Sequence, residues 1–280
     1  MKRLFASLTA LLLCLAVLSA CGGVPKSEGS GPASSGPSAE PSRPSPGESG
    51  DGAVITCRIV SVDQGGGTLT LAKQDGGGAD VYRLPMGDFA VSYEDGSDNG
   101  EDRAPMAGAL AEVTFSGEIM ETFPAQLAGV TGILILSGGF DDRCALYNQV
   151  LEDLWAVDSG LNSGITELGV DLSQTSLTEA EQAAVAWDFG TAHGILPVQG
   201  TYDQLVEQGY IDGENLYWEK GCLFSIVEKP MEGSYSLTPV TFDAEKWRSG
   251  LGAYFFMDCT AVQSAGGEWG DYQVGSQAIS

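Results

Sequence analysis

The sequence predicts an α+β protein, a small all-β barrel followed by a second domain in which helices pack on a curled antiparallel sheet. Three observations carry that expectation. Residues 53–136 break into short runs of alternating apolar and polar residues separated by glycine turns, the pattern of half-buried strands. Beyond residue 140, two stretches place apolar residues at helical spacing, and from residue 222 onward the alternation returns. Helices first and strands afterwards favour helices segregated on one face of an antiparallel sheet.

Taken in order, Val54 to Val62 alternates, residues 63–67 form a glycine turn, and Thr68 to Lys73 alternates with Leu69 and Leu71 on one face. Asp75-Gly76-Gly77-Gly78 turns the chain again, so two hairpins follow. Val81 to Leu84, Phe89 to Tyr93, Leu110 to Phe115 and Val130 to Leu136 supply further strands, the number that suits a small closed barrel. The run Phe115-Ser116-Gly117-Glu118-Ile119-Met120-Glu121-Thr122-Phe123-Pro124-Ala125, with an apolar strand after it, resembles the last part of the small OB-like domains of Gram-positive lipoproteins. The resemblance implies an OB-like module over residues 53–137 and brings no chemistry with it.

Ser137-Gly138-Gly139 reads as a joint, which leaves residues 138–280 for the second domain. Its first helix spans Asp142 to Val157, with Leu146, Val150, Leu151, Leu154 and Trp155 at helical spacing and an acidic start that suits the dipole. A half-buried strand follows, with Thr166, Leu168, Val170 and Leu172 facing one way. Thr178 and Glu181 form a capping box for the next helix, which ends at His193-Gly194; Thr201 and Gln204 cap a shorter one closed by Gly209. The remaining strands are Cys222 to Glu228, Tyr235 to Phe242, Leu251 to Val262 and Tyr272 to Ile279. In its order of elements alone, this domain resembles the cystatin-like and nuclear-transport-factor-two-like group.

Ahead of both domains stand Lys2 and Arg3, an apolar run from Leu4 to Leu18, and then Leu18-Ser19-Ala20-Cys21. This is the grammar of a signal peptide, and the run is too short to span a bilayer. The four residues resemble the lipobox of bacterial lipoproteins. That resemblance implies cleavage of residues 1–20, lipidation of Cys21, and an extracytoplasmic protein anchored to the cell membrane by acyl chains, two of which hold stably where one does not. Residues 21–52 are rich in Gly, Ser and Pro and hold no large apolar side chain except Val24, so the composition predicts a tether that cannot bury enough surface to fold.

Charge narrows the partners. Thirteen Lys and Arg face 38 Asp and Glu, a formal net charge of −25. Nucleic acid is excluded as a partner, because its affinity comes from basic residues on phosphates. A basic patch for anionic lipid is also lacking, so the expected membrane contact is the lipid anchor only. Cys57, Cys144, Cys222 and Cys259 sit in apolar alternations or on helix faces and read as buried thiols; if one bridge forms, Cys222 to Cys259 is the pair.

Chemistry has few footholds. His193 is the one histidine, and its place in the last turn of a helix is also that of a partner for exposed carbonyls. No Gly-x-Ser-x-Gly, phosphate loop or His-Glu-x-x-His occurs. Asp95, Ser97, Asn99 and Glu101 place oxygen ligands at alternate positions with Gly100 sixth, as in the first half of an EF-hand loop, but Met106 stands twelfth where a bidentate acid belongs. Calcium, if held, is held weakly, and a solvated acidic tip explains the same letters; no other cofactor is expected. All five tryptophans fall after residue 139: Trp155 and Trp187 read as core, while Trp218, Trp247 and Trp269 serve core or ligand equally well. Lys246 and Arg248, flanking Trp247, are the place for an anionic group. The expected function is therefore a non-catalytic binding or scaffolding role at the cell surface, with an envelope protein, peptide or glycan as partner. The alternative is a small-ligand receptor or enzyme using a pocket between sheet and helices of the second domain, lined by His193, Asp188 or Arg248. A filled interior there favours the first reading and an open one the second.

Overall fold

The alternation of the first half builds a sheet whose centre is β1 (Ala53–Asp63), hydrogen-bonded on one side to β2 (Thr68–Lys73) and on the other to β5 (Leu110–Phe115). A computed structural model describes residues 52–63, 65, 67–87, 89–96, 104–230 and 239–280. The expected signal peptide, Cys21, the expected tether up to residue 51, and Ser97, Asn99 and Glu101 of the expected calcium loop lie outside the described residues. The sheet is completed by β3 (Val81–Pro85), β4 (Ala90–Tyr93) and β8 (Gly132–Ile135), in the order β3-β2-β1-β5-β8-β4. It curls around Cys57, Ile59, Leu69, Leu71, Leu84, Val113 and Ile133. A small hairpin, β6 (Ile119–Met120) with β7 (Gln126–Leu127), lies beside β3 through a bridge from Ala125 to Tyr82.

The closed barrel expected from the strand count is not formed. The two ends of the sheet, β3 and β4, are consecutive in the chain, and no ladder joins them among the described residues. Pro85 ends β3 without an N–H to offer, and the chain then crosses to pair in parallel with β8. The seam is spanned by covalent chain instead of hydrogen bonds.

The second half forms a mixed six-stranded sheet, β10-β9-β11-β12-β13-β14, from β9 (Glu167–Gln174), β10 (Pro197–Gln199), β11 (Gly221–Lys229), β12 (Pro239–Ser249), β13 (Gly252–Val262) and β14 (Ser276–Ile279). Here too an expectation is corrected, because β9 runs parallel to both β10 and β11 and only β11 through β14 form the antiparallel meander. The helix between β9 and β10 supplies the crossover that parallel pairing needs. With 44% strand and 16% helix, the described residues are predominantly β rather than α+β. The long strands β12 and β13 outweigh three helices, α1 (Arg143–Ala156), α2 (Glu179–Ala192) and the six-residue α3 (Tyr202–Glu207).

Both capping boxes form as the sequence predicts, with Thr178 and Thr201 accepting from the N3 amides and Glu181 and Gln204 returning the bond. Asp142 at the start of α1 behaves differently. Its side chain makes no cap bond and instead accepts from the backbone N–H of Trp269 at 2.7 Å.

α1 and α2 lie between the two sheets and serve both. One continuous apolar cluster runs from Val60, Ala72 and Val81 of the first sheet, through Val150, Leu154, Ala184 and Phe189 of the helices, to Val170, Phe224 and Phe242 of the second. α2 is buried at Ala180, Ala183, Ala184, Val185, Ala186, Phe189 and Gly190, and a helix that is apolar nearly all round is one with neighbours on every side. β2 likewise buries both faces, Leu69 and Leu71 toward the sheet's own core and Thr70 and Ala72 toward the helices. The residues from 52 onward thus belong to one compact unit.

Charge pins the layers where apolar contact ends. Arg58 of β1 bonds Glu181 at the start of α2 at 3.2 Å, the two side chains only 11% and 9% exposed. Its guanidinium also donates to the carbonyls of Gly108 and Gly139. Gln74 adds a bond to Glu181. Replacing Arg58 by Ala leaves Glu181 buried without its countercharge and should cost about 3–5 kcal/mol, read as a lower urea midpoint in a single transition.

Candidate functional site

Strict alternation would bury Ile59 and expose Val60, yet both are buried. Consecutive side chains of a strand point to opposite faces, so both are buried because the sheet is covered on both sides here. The register of β1 against β2 also slips between Ile59 and Ser61, a bulge that bends the strand. Ile59 enters the curl of the first sheet, and Val60 enters the helix layer. Beside this slip opens a pocket of about 340 Å³, lined by Val60, Ser61 and Val62 of β1, by Ala107 ahead of β5, by Cys144 and Asn148 of α1, and by Val185 and Asp188 of α2. Cys144 and Asn148 are one helical turn apart, as are Val185 and Asp188, so each helix presents its pair on one face.

Two acceptors in this pocket are unused. Asp188 Oδ1 accepts from the Thr70 hydroxyl at 2.9 Å, but Asp188 Oδ2 and Asn148 Oδ1 are both buried without a protein partner. Burial pushes the Asp188 carboxyl above its ordinary range; the Ser61 and Thr70 hydroxyls and the charge of Arg83 pull the other way and do not offset it. Cys144 is pushed well above the usual thiol range, first by burial and then by the charge of Glu181. A thiol so held is a poor nucleophile. What the pocket offers is acceptance of hydrogen bonds within apolar walls.

The residues expected to carry a site are placed differently. β12 alternates Val240, Phe242, Ala244 and Lys246 onto the helix side, and Lys246 is fully buried. Its ammonium donates to the carbonyls of Val157 and of Asp158 (3.2 Å) and to Asn162 Oδ1 (3.0 Å). α1 has no basic residue in its last turn, and Asp158 takes a left-handed φ of 40° beyond its end. Lys246 therefore supplies from another element the cation that the helix terminus lacks. Burial lowers its affinity for the proton. Arg248 lies two residues on and donates to the carbonyls of Leu161, Ser163 and Glu219, each at 3.0 Å. Both cations are spent on backbone.

Trp247, on the opposite face, packs edge-on against Tyr202. The sequence places Lys246, Trp247 and Arg248 beside loops; they lie within β12, which runs to Ser249. His193 stacks on Trp155, ring centroids 3.7 Å apart, and its Nε2 lies 3.1 Å from Glu152. His193, Asp188 and Arg248 thus occupy three separate places. Trp218 is core, 1% exposed, with its indole N–H on Glu167 and the bare Cα of Gly221 against its ring. Trp269 is covered by Arg143.

The four described cysteines are free. Cys222 and Cys259 lie on β11 and β13 with β12 between them, which is why the pair named from the sequence does not meet. Asp95 borders a different depression, of about 280 Å³, together with Tyr93, Met106, Phe140 and Glu268. Among the described residues no group of three or more His, Cys, Asp or Glu is placed to hold a metal ion. Sequence reading named Asp188 but missed Asn148 and Ser61. The signal available was the apolar doublet Ile59-Val60 interrupting an alternation.

The raised Asp188 carboxyl fixes a pH signature. In the window between the unfolded carboxylate value and its higher folded value the native chain holds the extra proton, so this residue's contribution to stability is fully present in acid and is lost as pH rises through the folded value. Asp188→Asn removes the charge while keeping an acceptor for Thr70. Its melting temperature should exceed wild type by ~2–4 °C at pH 7.5, about 1 kcal/mol for a unit of this size. The gap should close as pH falls below 4, and a pH-independent gap would contradict the assignment.

No family model, no curated protein and no solved structure matches this chain.

Proposed function

We propose that the chain is a lipid-anchored, non-catalytic binding or scaffolding protein of the cell surface. One observation supports the non-catalytic part above others: the interface between the second sheet and the helices is filled by Leu168, Val170, Phe224, Ile226, Phe242 and Phe189. Of the groups expected to line an open pocket there, Arg248 is tied to backbone carbonyls and His193 is stacked on an indole, while Asp188 faces the pocket between β1, α1 and α2. The anchoring part rests on Lys2, Arg3, the apolar run and Leu18-Ser19-Ala20-Cys21. An envelope protein, peptide or glycan fits as partner, since the strong negative charge disfavours nucleic acid. The small-ligand alternative keeps one observation in its favour, the pocket between β1, α1 and α2 with its unused acceptors.

Anchoring is tested at Cys21. Cys21→Ser should abolish acylation and move the protein from the detergent phase to the aqueous phase, and unchanged partitioning would defeat the reading.

Calcium at Asp95, Ser97, Asn99 and Glu101 would be weak, because Met106 stands where the bidentate acid belongs. Melting curves in calcium, magnesium and matched sodium chloride separate coordination from screening. Equal shifts in all three are the expected result. A calcium-specific shift that is lost in Asp95→Ala and Asn99→Ala would instead establish the site.

A further inference from the structure

We propose that the pocket between β1, α1 and α2 binds a small molecule carrying a protonated amine on a short apolar stem. The inference gives the binding reading above a ligand class and does not depend on the lipid anchor. It starts from an imbalance of donors and acceptors. Asp188 Oδ2 and Asn148 Oδ1 are buried and unpartnered, and a buried acceptor left unpaired costs about 1–3 kcal/mol. The Thr70 hydroxyl is already committed to the other oxygen of Asp188, and the Ser61 hydroxyl, which also acts on this carboxyl, is a single donor set against two acceptors. The remaining walls are Val60, Val62, Ala107, Ala145 and Val185, with Ser61, Cys144 and Gln149 among them. The complement to two acceptors in a mainly aliphatic lining is a donor-rich head on a hydrocarbon body.

Charge and count select the head. An ammonium brings three donors and no acceptor, so one group has donors enough for two acceptors, and it meets the Asp188 carboxylate as a charge-assisted bond. An alcohol brings one donor. A quaternary ammonium brings none. A carboxylate or phosphate would set like charge against Asp188 and leave both acceptors unserved. Asp188 supplies an acceptor whichever way the Asn148 amide is turned. The volume, about 340 Å³, lies at the small end of the ~300–1,000 Å³ usual for ligand pockets, which suits a short stem. The chain's formal charge of −25 concentrates cations around it.

The geometry also explains why such a site would persist. The bulge at Val60, the unused acceptors and the buried carboxyl all work against stability at one place, and a binding site is where such costs are retained.

The test is calorimetric titration of the full chain in detergent with n-butylamine, n-butanol and tetramethylammonium chloride at matched ionic strength. Saturable binding of butylamine alone is expected, weakened at least ~10-fold in Asp188→Asn and several-fold in Asn148→Leu, with both variants melting cooperatively without ligand. Equal binding of butanol or tetramethylammonium, or butylamine binding unchanged in both variants, would overturn the proposal. No saturable butylamine binding by the wild-type chain would overturn it as well, and would mean that water alone serves the two acceptors. Recovery of the amine is checked by mass spectrometry. Unaltered amine accords with a non-catalytic site, whereas its conversion would overturn the non-catalytic reading and leave the binding site standing.

Discussion

The structure depends on the double burial of α2. A helix set between two sheets has little polar face to give away, and Ala180, Ala183, Ala184, Val185 and Ala186 meet that demand with small side chains that let both sheets approach, with Phe189 filling the core beside them. A surface helix could tolerate a bulky residue at most of these positions, whereas an overpacked core costs about 1–3 kcal/mol per insertion. The two sheets do not touch across a free interface. They are held by a common layer, and the Arg58–Glu181 pair locks that layer's end to β1.

The same arrangement locates the pocket. The pocket opens where β1 slips its register against β2 beside Val60, the residue of that strand packed into the helix layer. Polar side chains of both helices face the gap from one side and β1 faces it from the other. An occupant would touch three elements from both halves of the chain, so its binding energy would add to the cohesion of the layers. That coupling follows from where the space is, whatever fills it.

Much of the local structure was legible in the sequence. The capping boxes at Thr178 and Thr201, the turn glycines and the alternating strands depend on nearest neighbours, and those rules are short-ranged. What was not legible was whatever depends on a distant partner. Alternation in Val81 to Tyr93 cannot say that β4 pairs in parallel with β8 while β3 stays with β2. Nothing local to Leu168 or Val170 says that β9 pairs in parallel with β11. Lys246 reads as a surface cation until β12 is known to run to Ser249, because only the strand's full phase carries it to the end of α1. Of the candidate pocket, Asp188 could be named and Asn148 could not, since an asparagine within a helix carries no mark of the strand that will face it.

One consequence of the first sheet's order is mechanical. Chain preceding residue 53 enters the fold as β1, and β1 is held on both sides, by β5 from Ala53 to Arg58 and by β2 from Cys57 to Asp63. A pull along that strand loads its cross-strand bonds together in shear, whereas a terminal strand at a sheet edge would peel away one bond at a time. The entry point is therefore the part of the unit least suited to unravelling under tension.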